Sequence, residues 1–351
     1  MSSLEIKSVE DRHHRSGEAA SERASIPIPR RAAMATVDSM LRRTRAGLTT
    51  LAAATERLER AKFKLRYSPR ADDIFIATYP KSGTTLVQMA LYQLLTDGNM
   101  EIPHLNFFVP YLEDLIKSEI DASRIPSPRI AKTHVRYRDI PKGAGRYLYI
   151  IRDGRDVAVS YYYHYLRNGY SKGFGEFYEQ FINGTVRFGR WFDHVAEWSE
   201  NRARLKILFL KFEDLLADLK SSLGQIAAFC DISVAEPQWP RILRNCSFEF
   251  MREHEAKLDV KTRKSTRIDS ENNHFIRKGS SGSWIDHFDR GMLDRYRLAS
   301  RPYLDTVPAI RFYDSPAIHK WDATEPAGTM PDRETTHGST TRLMGEVGNE
   351  F

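Results

Sequence analysis

The sequence predicts an α/β fold: a single three-layer domain with a central, mostly parallel sheet flanked by helices. Short apolar runs of strand length occur at 73–78, 129–133, 147–151 and 207–210, and longer segments with helical spacing separate them. Strands that alternate with helices build βαβ units, which form parallel sheets. Ligands bind such sheets beyond the carboxyl ends of the strands, so the loops after the strands are the candidate sites.

The predicted domain occupies 69–315, and the chain differs in composition on either side of it. Residues 1–35 are polar and predict a flexible leader, 36–68 carry the spacing of a helical N-terminal extension, and 316–351 predict a flexible tail. The first fourteen residues lack a secretory signal, and no apolar run is long enough to cross a bilayer. The two cysteines, Cys230 and Cys246, are expected to be small buried apolar residues, so we predict a cytoplasmic protein.

The charge balance suits an anionic partner. Lys and Arg number 53 against 46 Asp and Glu, a net charge of +7. Charge alone does not distinguish a nucleotide from a nucleic acid or a membrane surface. The basic residues are not gathered into one stripe with interleaved aromatic residues, which argues against nucleic acid. No cluster of histidines, cysteines and carboxylates suggests a metal site.

The loop after the first predicted strand has the groups of a phosphate cradle. It places a lysine, a glycine and hydroxyls before a helix, in Lys81, Ser82, Gly83, Thr84 and Thr85. A helix N-terminus favours an anion, although a plain turn capped by a threonine is the alternative for this loop taken alone. The lysine precedes the glycine, whereas in kinases and ATPases it follows the second glycine. The loop therefore predicts a P-loop-like fold without the standard kinase motif.

Two later segments also carry groups that suit a phosphate. Arg152 directly follows a predicted strand, Asp156 is placed to cap the next helix, and Ser160 lies one turn into that helix. An arginine fork with a hydroxyl binds a phosphate monoester, while a surface ion pair with an aspartate is the alternative for Arg152. Further along, two cations and a glycine suit either an anion or a solvated basic turn, in Arg277, Lys278 and Gly279.

Taken together, three segments resemble the donor-binding motifs of the cytosolic sulfotransferase family. Tyr-Pro-Lys-Ser-Gly-Thr-Thr at 79–85 resembles its 5'-phosphosulfate loop, and 152–162 resembles its 3'-phosphate segment. Arg-Lys-Gly-Ser-Ser-Gly-Ser-Trp at 277–284 resembles its C-terminal element. Three ordered matches over roughly 70–290 are more specific than one loop. The resemblance implies transfer of a sulfuryl group from 3'-phosphoadenosine 5'-phosphosulfate (PAPS) to a hydroxyl or amine of a small molecule.

The resemblance also implies roles for individual residues. His134, at the end of a predicted strand, would be the catalytic base, and Lys81 would stabilise the leaving phosphate oxygen. Lys132 would add charge at the transferring group, and Ser160 would restrain Lys81 until an acceptor binds. The residues implied for the 3'-phosphate are Arg152, Ser160, Arg277, Lys278 and Gly279.

The chain departs from the family's pattern around adenine. Leu86 stands where the family commonly has Trp, and Phe212 where it commonly has Tyr. Because a leucine cannot stack as an indole does, we expect Phe248, which follows Ser247, to carry more of the adenine contact. Ser283 replaces the usual Asp of the C-terminal element. The family's dimerisation element is not recognisable after it, so no oligomeric state is predicted.

The acceptor pocket is predicted from aromatic residues. The residues that resemble the family's pocket segment are Phe107, Phe108, Pro110, Tyr111, Leu112 and Glu113. Tyr163 belongs to a tyrosine series that follows Ser160 and includes Tyr161, Tyr162, Tyr165 and Tyr170. Ordinary core packing is the alternative for each of these residues. An aromatic pocket favours a phenol, an alcohol or a lipophilic natural product.

Two other functions need different features. A P-loop kinase or hydrolase needs the lysine after the glycine and a metal-holding carboxylate; Asp153 could serve as the carboxylate, but nothing supplies the lysine. A non-catalytic nucleotide-binding protein would tolerate the loss of His134 and Lys81, and both are present. The sequence therefore favours a PAPS-dependent sulfotransferase.

Overall fold

A computed structural model of the chain describes residues 67–96, 98–117, 127–259 and 273–314. The leader predicted at 1–35, the extension predicted at 36–68 as far as residue 66, and the tail predicted at 316–351 lie outside the described residues. Across the described ranges, no helix combines the length and apolar character needed to span a bilayer.

A parallel four-stranded sheet lies at the centre of the described part, in the order β2–β1–β3–β4. Each predicted strand is present to within one residue at either end. The chain reverses direction across the sheet at β1, which has β2 on one side and β3 on the other, so a ligand crevice is expected at its carboxyl end. The strands are β1 (Ile74–Thr78), β2 (Ile130–Thr133), β3 (Arg146–Ile151) and β4 (Lys206–Lys211).

Helices cover both faces of the sheet. Alternate residues of β1 enter different cores: Phe75 packs with the helices on one face, and Ile76 with those on the other. This arrangement gives the three layers that the sequence predicts. The described α-helices are α1 (Thr84–Thr96), α2 (Leu112–Lys117), α3 (Gly154–Arg167), α4 (Phe174–Asn183), α5 (Trp191–Glu200), α6 (Phe212–Ala217), α7 (Leu219–Phe229), α8 (Trp239–Asn245), α9 (Phe248–Glu253), α10 (Arg290–Ser300) and α11 (Pro308–Asp314).

Both cysteines lie in the core that contains Ile76. Cys230 and Cys246 are free thiols, and both are buried. The prediction that they are small buried apolar residues is confirmed.

Candidate active site

A cavity of about 910 Å³ lies at the carboxyl ends of the strands. Lys81 follows β1, His134 follows β2 and Arg152 follows β3, and all three line this cavity. The parallel sheet therefore brings together residues that are far apart in sequence. The predicted site residues that line the cavity are Lys81, Gly83, Thr84, Thr85, Leu86, Tyr111, Lys132, His134, Arg152, Ser160, Phe212, Phe248, Arg277, Lys278 and Gly279.

The loop after β1 is folded tightly against the ring of Phe212. Lys81 and Gly83 both adopt left-handed backbone conformations, with φ of 71° and 106°. A Cβ atom at Gly83 would lie 2.6 Å from the Phe212 ring, so only glycine fits there. Thr84 is the first residue of α1 and lines the cavity, so the N-terminus of this helix lies beside the cavity. Ser82 is buried in the turn and does not line the cavity.

Lys81 is a partly buried cation among other cations. Its Nζ lies 4.8 Å from the centroid of the Phe275 ring. Burial, together with the charges of Arg167 and Arg152, lowers the pKa of Lys81 to about 8. A negatively charged group beside this ammonium would relieve both effects.

The tautomer of His134 is fixed by its neighbours. Nδ1 lies 2.9 Å from the carbonyl oxygen of Thr78. Because a carbonyl only accepts, Nδ1 carries the hydrogen and Nε2 is left as a proton acceptor. Burial lowers the pKa of His134 to about 4, so the ring is neutral at pH 7.

Two buried side chains, His194 and Tyr149, fix the backbone of His134 through a chain of hydrogen bonds. His194 Nε2 lies 3.2 Å from the carbonyl oxygen of His134, and the Tyr149 hydroxyl lies 2.8 Å from His194 Nδ1. The carbonyl requires a hydrogen on Nε2 of His194, which leaves Nδ1 to accept from the tyrosine. This chain of hydrogen bonds fixes the position of the candidate base.

Lys132 is held between two amide oxygens. Its Nζ donates to Gln88 Oε1 at 3.0 Å and to Asn106 Oδ1 at 2.7 Å, and it lies 4.3 Å from the centroid of the Tyr111 ring. Burial lowers the pKa of Lys132 to about 7. The two amide oxygens therefore hold the ammonium at the cavity wall. The ammonium loses its charge readily as the pH rises.

Arg152 joins two of the predicted donor segments. Its guanidinium donates to the carbonyl oxygen of Lys81 at 3.3 Å and to that of Ser280 at 2.9 Å, and lies 4.5 Å from the centroid of the Phe212 ring. Arg152 is buried, and Asp156 lies 3.8 Å away. The pair of Arg152 with Asp156 is thus one contact of this guanidinium among several. It is buried beside the cavity, whereas the sequence alternative was an ion pair on the surface.

The helix cap predicted at Asp156 is wrong. Asp153 caps α3 by accepting from the backbone N–H of Arg155 at 2.9 Å, because it directly precedes the first helical residue. Asp156 instead fixes the C-terminal element. Its carboxylate accepts from Gly282 N at 2.7 Å, Ser283 Oγ at 3.0 Å and Trp284 N at 3.1 Å. The serine at 283 is therefore a hydrogen-bond donor to this carboxylate.

The segment that begins at Arg277 packs against two aromatic rings. The Arg277 guanidinium lies 4.4 Å from the centroid of the Tyr163 ring. Gly279 has a φ of 61°, and a Cβ atom there would lie 2.1 Å from the ring of Phe248. Lys278 is exposed, with Asp286 3.8 Å from its Nζ.

Besides Ser82, four predicted site residues are not brought to the main cavity. Phe107 is 79% exposed and Phe108 packs edge-on against Tyr92, because the short helical turn at Leu105–Phe107 buries Leu105 instead. Tyr163 supports Arg277 on the donor side, so its placement in the acceptor pocket is not supported. Ser247 caps α9 by accepting from the backbone N–H of Phe250 at 3.2 Å.

Several lining residues escaped the sequence reasoning. Arg167 and Gln88 carried a usable signal, because they lie seven residues after Ser160 and four residues after Thr84, each on the same face of a helix. The others come from turns and neighbouring elements whose direction the sequence does not show. Examples of these lining residues are Gln88, Asn106, Arg167, Arg187, Phe188, Asp259 and Phe275. Within the described ranges, no group of three or more His, Cys, Asp or Glu side chains is arranged to hold a metal ion.

Comparison with known proteins identifies the family. The model of the sulfotransferase domain matches residues 71–307. Sulfotransferase 1C2 of Rattus norvegicus is 34% identical over 244 residues, which cover 66% of this chain and 82% of that protein. Sulfotransferase 1B1 of Mus musculus is 34% identical over 245 residues, which cover 64% and 80%.

Solved structures agree in fold. A mouse sulfotransferase, SULT7A1, complexed with PAP (3'-phosphoadenosine 5'-phosphate), matches with a TM-score of 0.59 and 26% identity, over 73% of this chain and 94% of that one. Retinol dehydratase in complex with androsterone and inactive cofactor PAP matches with a TM-score of 0.61 and 25% identity, over 71% and 85%. The predicted family and fold class are both confirmed: the chain belongs to the sulfotransferase family and is a PAPS-dependent sulfotransferase.

Proposed function

We propose that this enzyme transfers the sulfuryl group of PAPS in line to a hydroxyl or amine of a small aromatic or lipophilic acceptor, with His134 as the base. The observation that carries the proposal is the meeting of Lys81, Lys132 and His134 in one cavity. A neutral imidazole with Nε2 as acceptor and two ammonium groups is the set that the reaction needs.

In the proposed step, His134 Nε2 takes the proton of the acceptor as the acceptor atom bonds to sulfur. The bond from sulfur to the bridging oxygen breaks, and PAP leaves with that electron pair. Lys81 stabilises the negative charge on the bridging oxygen, and Lys132 stabilises the charge on the oxygens of the transferring group. No change of oxidation state occurs.

The donor lies along the elements that follow β1 and β3. In this proposal, the loop from Lys81 to Thr85 binds the 5'-phosphosulfate, and Arg152, Ser160 and the segment 277–279 bind the 3'-phosphate. The contacts of Arg152 with the carbonyl oxygens of Lys81 and Ser280 support this assignment, since they hold the loop and the C-terminal element together. A donor with both phosphates is thus favoured over AMP or ATP.

The acceptor lies against aromatic side chains around His134. The ring of His134 lies between those of Tyr111 and Phe188, at centroid distances of 5.9 Å and 5.4 Å. Glu113 Oε2, at the same wall, is buried and has no hydrogen-bond partner among the described residues, so it suits a second hydroxyl or amine of the acceptor. Androsterone in the retinol dehydratase complex supports a lipophilic acceptor of comparable chemistry.

A mass-shift screen tests this function. Purified enzyme is incubated with PAPS and a panel of phenols, alcohols and amines, and products are detected by the added sulfuryl mass. His134→Ala is expected to lower kcat by about 10²- to 10⁴-fold while PAP still binds. Lys81→Ala should lower turnover and PAP affinity together. Undiminished turnover in both variants would refute the proposed roles.

A matched pair of variants tests the acceptor wall. Phe188→Ala is expected to raise the KM of the acceptor, because it removes a ring beside His134. Phe107→Ala, at an exposed site outside the cavity, serves as the control. An equal change of KM in the two variants would contradict the placement of the acceptor.

A further inference from the structure

Arg167 lies beside Lys81, at the far end of the helix that carries Ser160. The spacing of Ser160, His164 and Arg167 places them on one face of α3. These three residues and Lys81 also line a small recess of about 10 Å³ next to the main cavity. Arg167 and Lys81 contact the same ring: the guanidinium lies 5.8 Å and the ammonium 4.8 Å from the centroid of Phe275.

The charge of Arg167 acts directly on Lys81. Among the neighbouring charges that lower the pKa of Lys81, that of Arg167 has the largest effect, ahead of Arg152. Two cations held this close repel each other, and an anion between them is attracted by both. Because Lys81 is the lysine of the loop proposed to hold the 5'-phosphosulfate, this group is the anion that fits the position.

Asp259 fixes the guanidinium of Arg167. The two form an ion pair at 2.5 Å, with side-chain exposures of 8% for Arg167 and 10% for Asp259. Both residues line the main cavity. A guanidinium has five N–H donors in a planar fork, so pairing with one carboxylate is compatible with donation to a second anion.

The ion pair lies toward the end of the cavity where the reaction is proposed to occur. Asp259 and Lys132 both act electrostatically on His104, which directly precedes the turn whose Asn106 holds Lys132. Two residues assigned to the 3'-phosphate, Ser160 and Arg277, also line the small recess. The charge of Arg167 nevertheless acts on Lys81 more strongly than that of Arg277 does, which associates Arg167 with the lysine of the 5'-phosphosulfate loop.

We propose that Arg167, oriented by Asp259, is an additional binding residue for the 5'-phosphosulfate and acts beside Lys81. This inference rests on the proposed binding of the 5'-phosphosulfate at Lys81. It adds a cation that none of the three motif segments contributes as a donor-binding group.

Calorimetry with two nucleotides tests the inference. PAP carries both phosphates, and adenosine 3'-monophosphate lacks the 5'-phosphate. Arg167→Met, combined with Asp259→Asn so that no buried carboxylate is left unpaired, is expected to weaken PAP binding about 10- to 100-fold and to leave adenosine 3'-monophosphate within twofold. Arg167→Lys should recover part of the loss, since it keeps the charge.

Two control variants separate the possible failures. Arg277→Met should weaken both nucleotides, because both carry the 3'-phosphate, and Lys81→Met should weaken PAP selectively. The inference about Arg167 would be overturned if its variants lost affinity equally for both nucleotides, or lost none. In that case a selective loss of PAP affinity in Lys81→Met would still support the proposed donor site. No selective loss in Lys81→Met would instead overturn the placement of the 5'-phosphosulfate itself.

Discussion

The pH dependence of the reaction follows from three buried groups. His134 must be neutral to accept a proton, and burial lowers its pKa to about 4, so kcat/KM should rise as the pH increases through 4. Lys132 and Lys81 must be cationic, and their pKa values are lowered to about 7 and about 8. The value of kcat/KM should therefore be highest between about pH 5 and 7 and fall in two stages above that range.

The size of the alkaline fall can be worked out from these values. At pH 9, about 1% of Lys132 and about 10% of Lys81 would be cationic, against nearly all of both at pH 6. If both charges are needed, kcat/KM should drop about 1000-fold between pH 6 and pH 9. A reaction that needs only Lys81 should drop about 10-fold over the same range.

The assay is kcat/KM for PAPS against pH, with an alcohol as the acceptor, because a phenol ionises in the same range. Lys132→Arg provides the matched variant, since a guanidinium keeps its charge to pH 12 and above. It should abolish the first stage of the fall and leave the second. A wild-type profile that is flat to pH 9, or a Lys132→Arg profile identical to wild type, would refute the reasoning.

Two further predictions concern the C-terminal element. Gly279→Ala should weaken PAP binding at least tenfold by calorimetry, because the new methyl group meets the ring of Phe248, whereas Gly282→Ala, with φ of 86° but nothing within 4 Å, should have the smaller effect. The reverse order would contradict the packing described. Asp156→Ala should lower the free energy of unfolding in urea by about 3 kcal/mol, since three donors lose their acceptor, and Ser283→Ala by about 1 kcal/mol. Equal losses would show that the carboxylate does not hold this turn.

The sheet could be predicted from the sequence because of how its strands are buried. The strands β1 and β3 face helices on both sides, so each is a continuous apolar run with a sharp boundary. The rule that ligands lie at carboxyl strand ends then located three residues. His134 and Arg152 directly follow β2 and β3, and Lys81 lies in the loop that follows β1.

The acceptor wall could be predicted only in part. On α3, Tyr161 and Tyr165 lie four residues apart and contact each other at the cavity, while Tyr163 points to the donor side. Helical periodicity distinguishes these positions. Phe107 and Phe108 lie at a short turn, where a rotation by one residue exchanges exposed and buried positions, and the sequence contains no signal for that rotation.

The aromatic partners of the cations are a feature of the site that the sequence concealed. Each of four cations in the site lies over an aromatic ring from another part of the chain, a pairing that no local pattern shows. The face of a ring attracts a cation without supplying a full opposing charge, so these ring contacts do not themselves cancel the field toward an anionic donor. Arg152 has the carboxylate of Asp156 3.8 Å away in addition to its ring. A phenylalanine at 212 offers Arg152 a ring face just as a tyrosine would. This departure from the family pattern therefore does not remove the ring that packs against the Arg152 guanidinium. The pairs are Arg152 on Phe212, Arg277 on Tyr163, Lys81 on Phe275 and Lys132 on Tyr111.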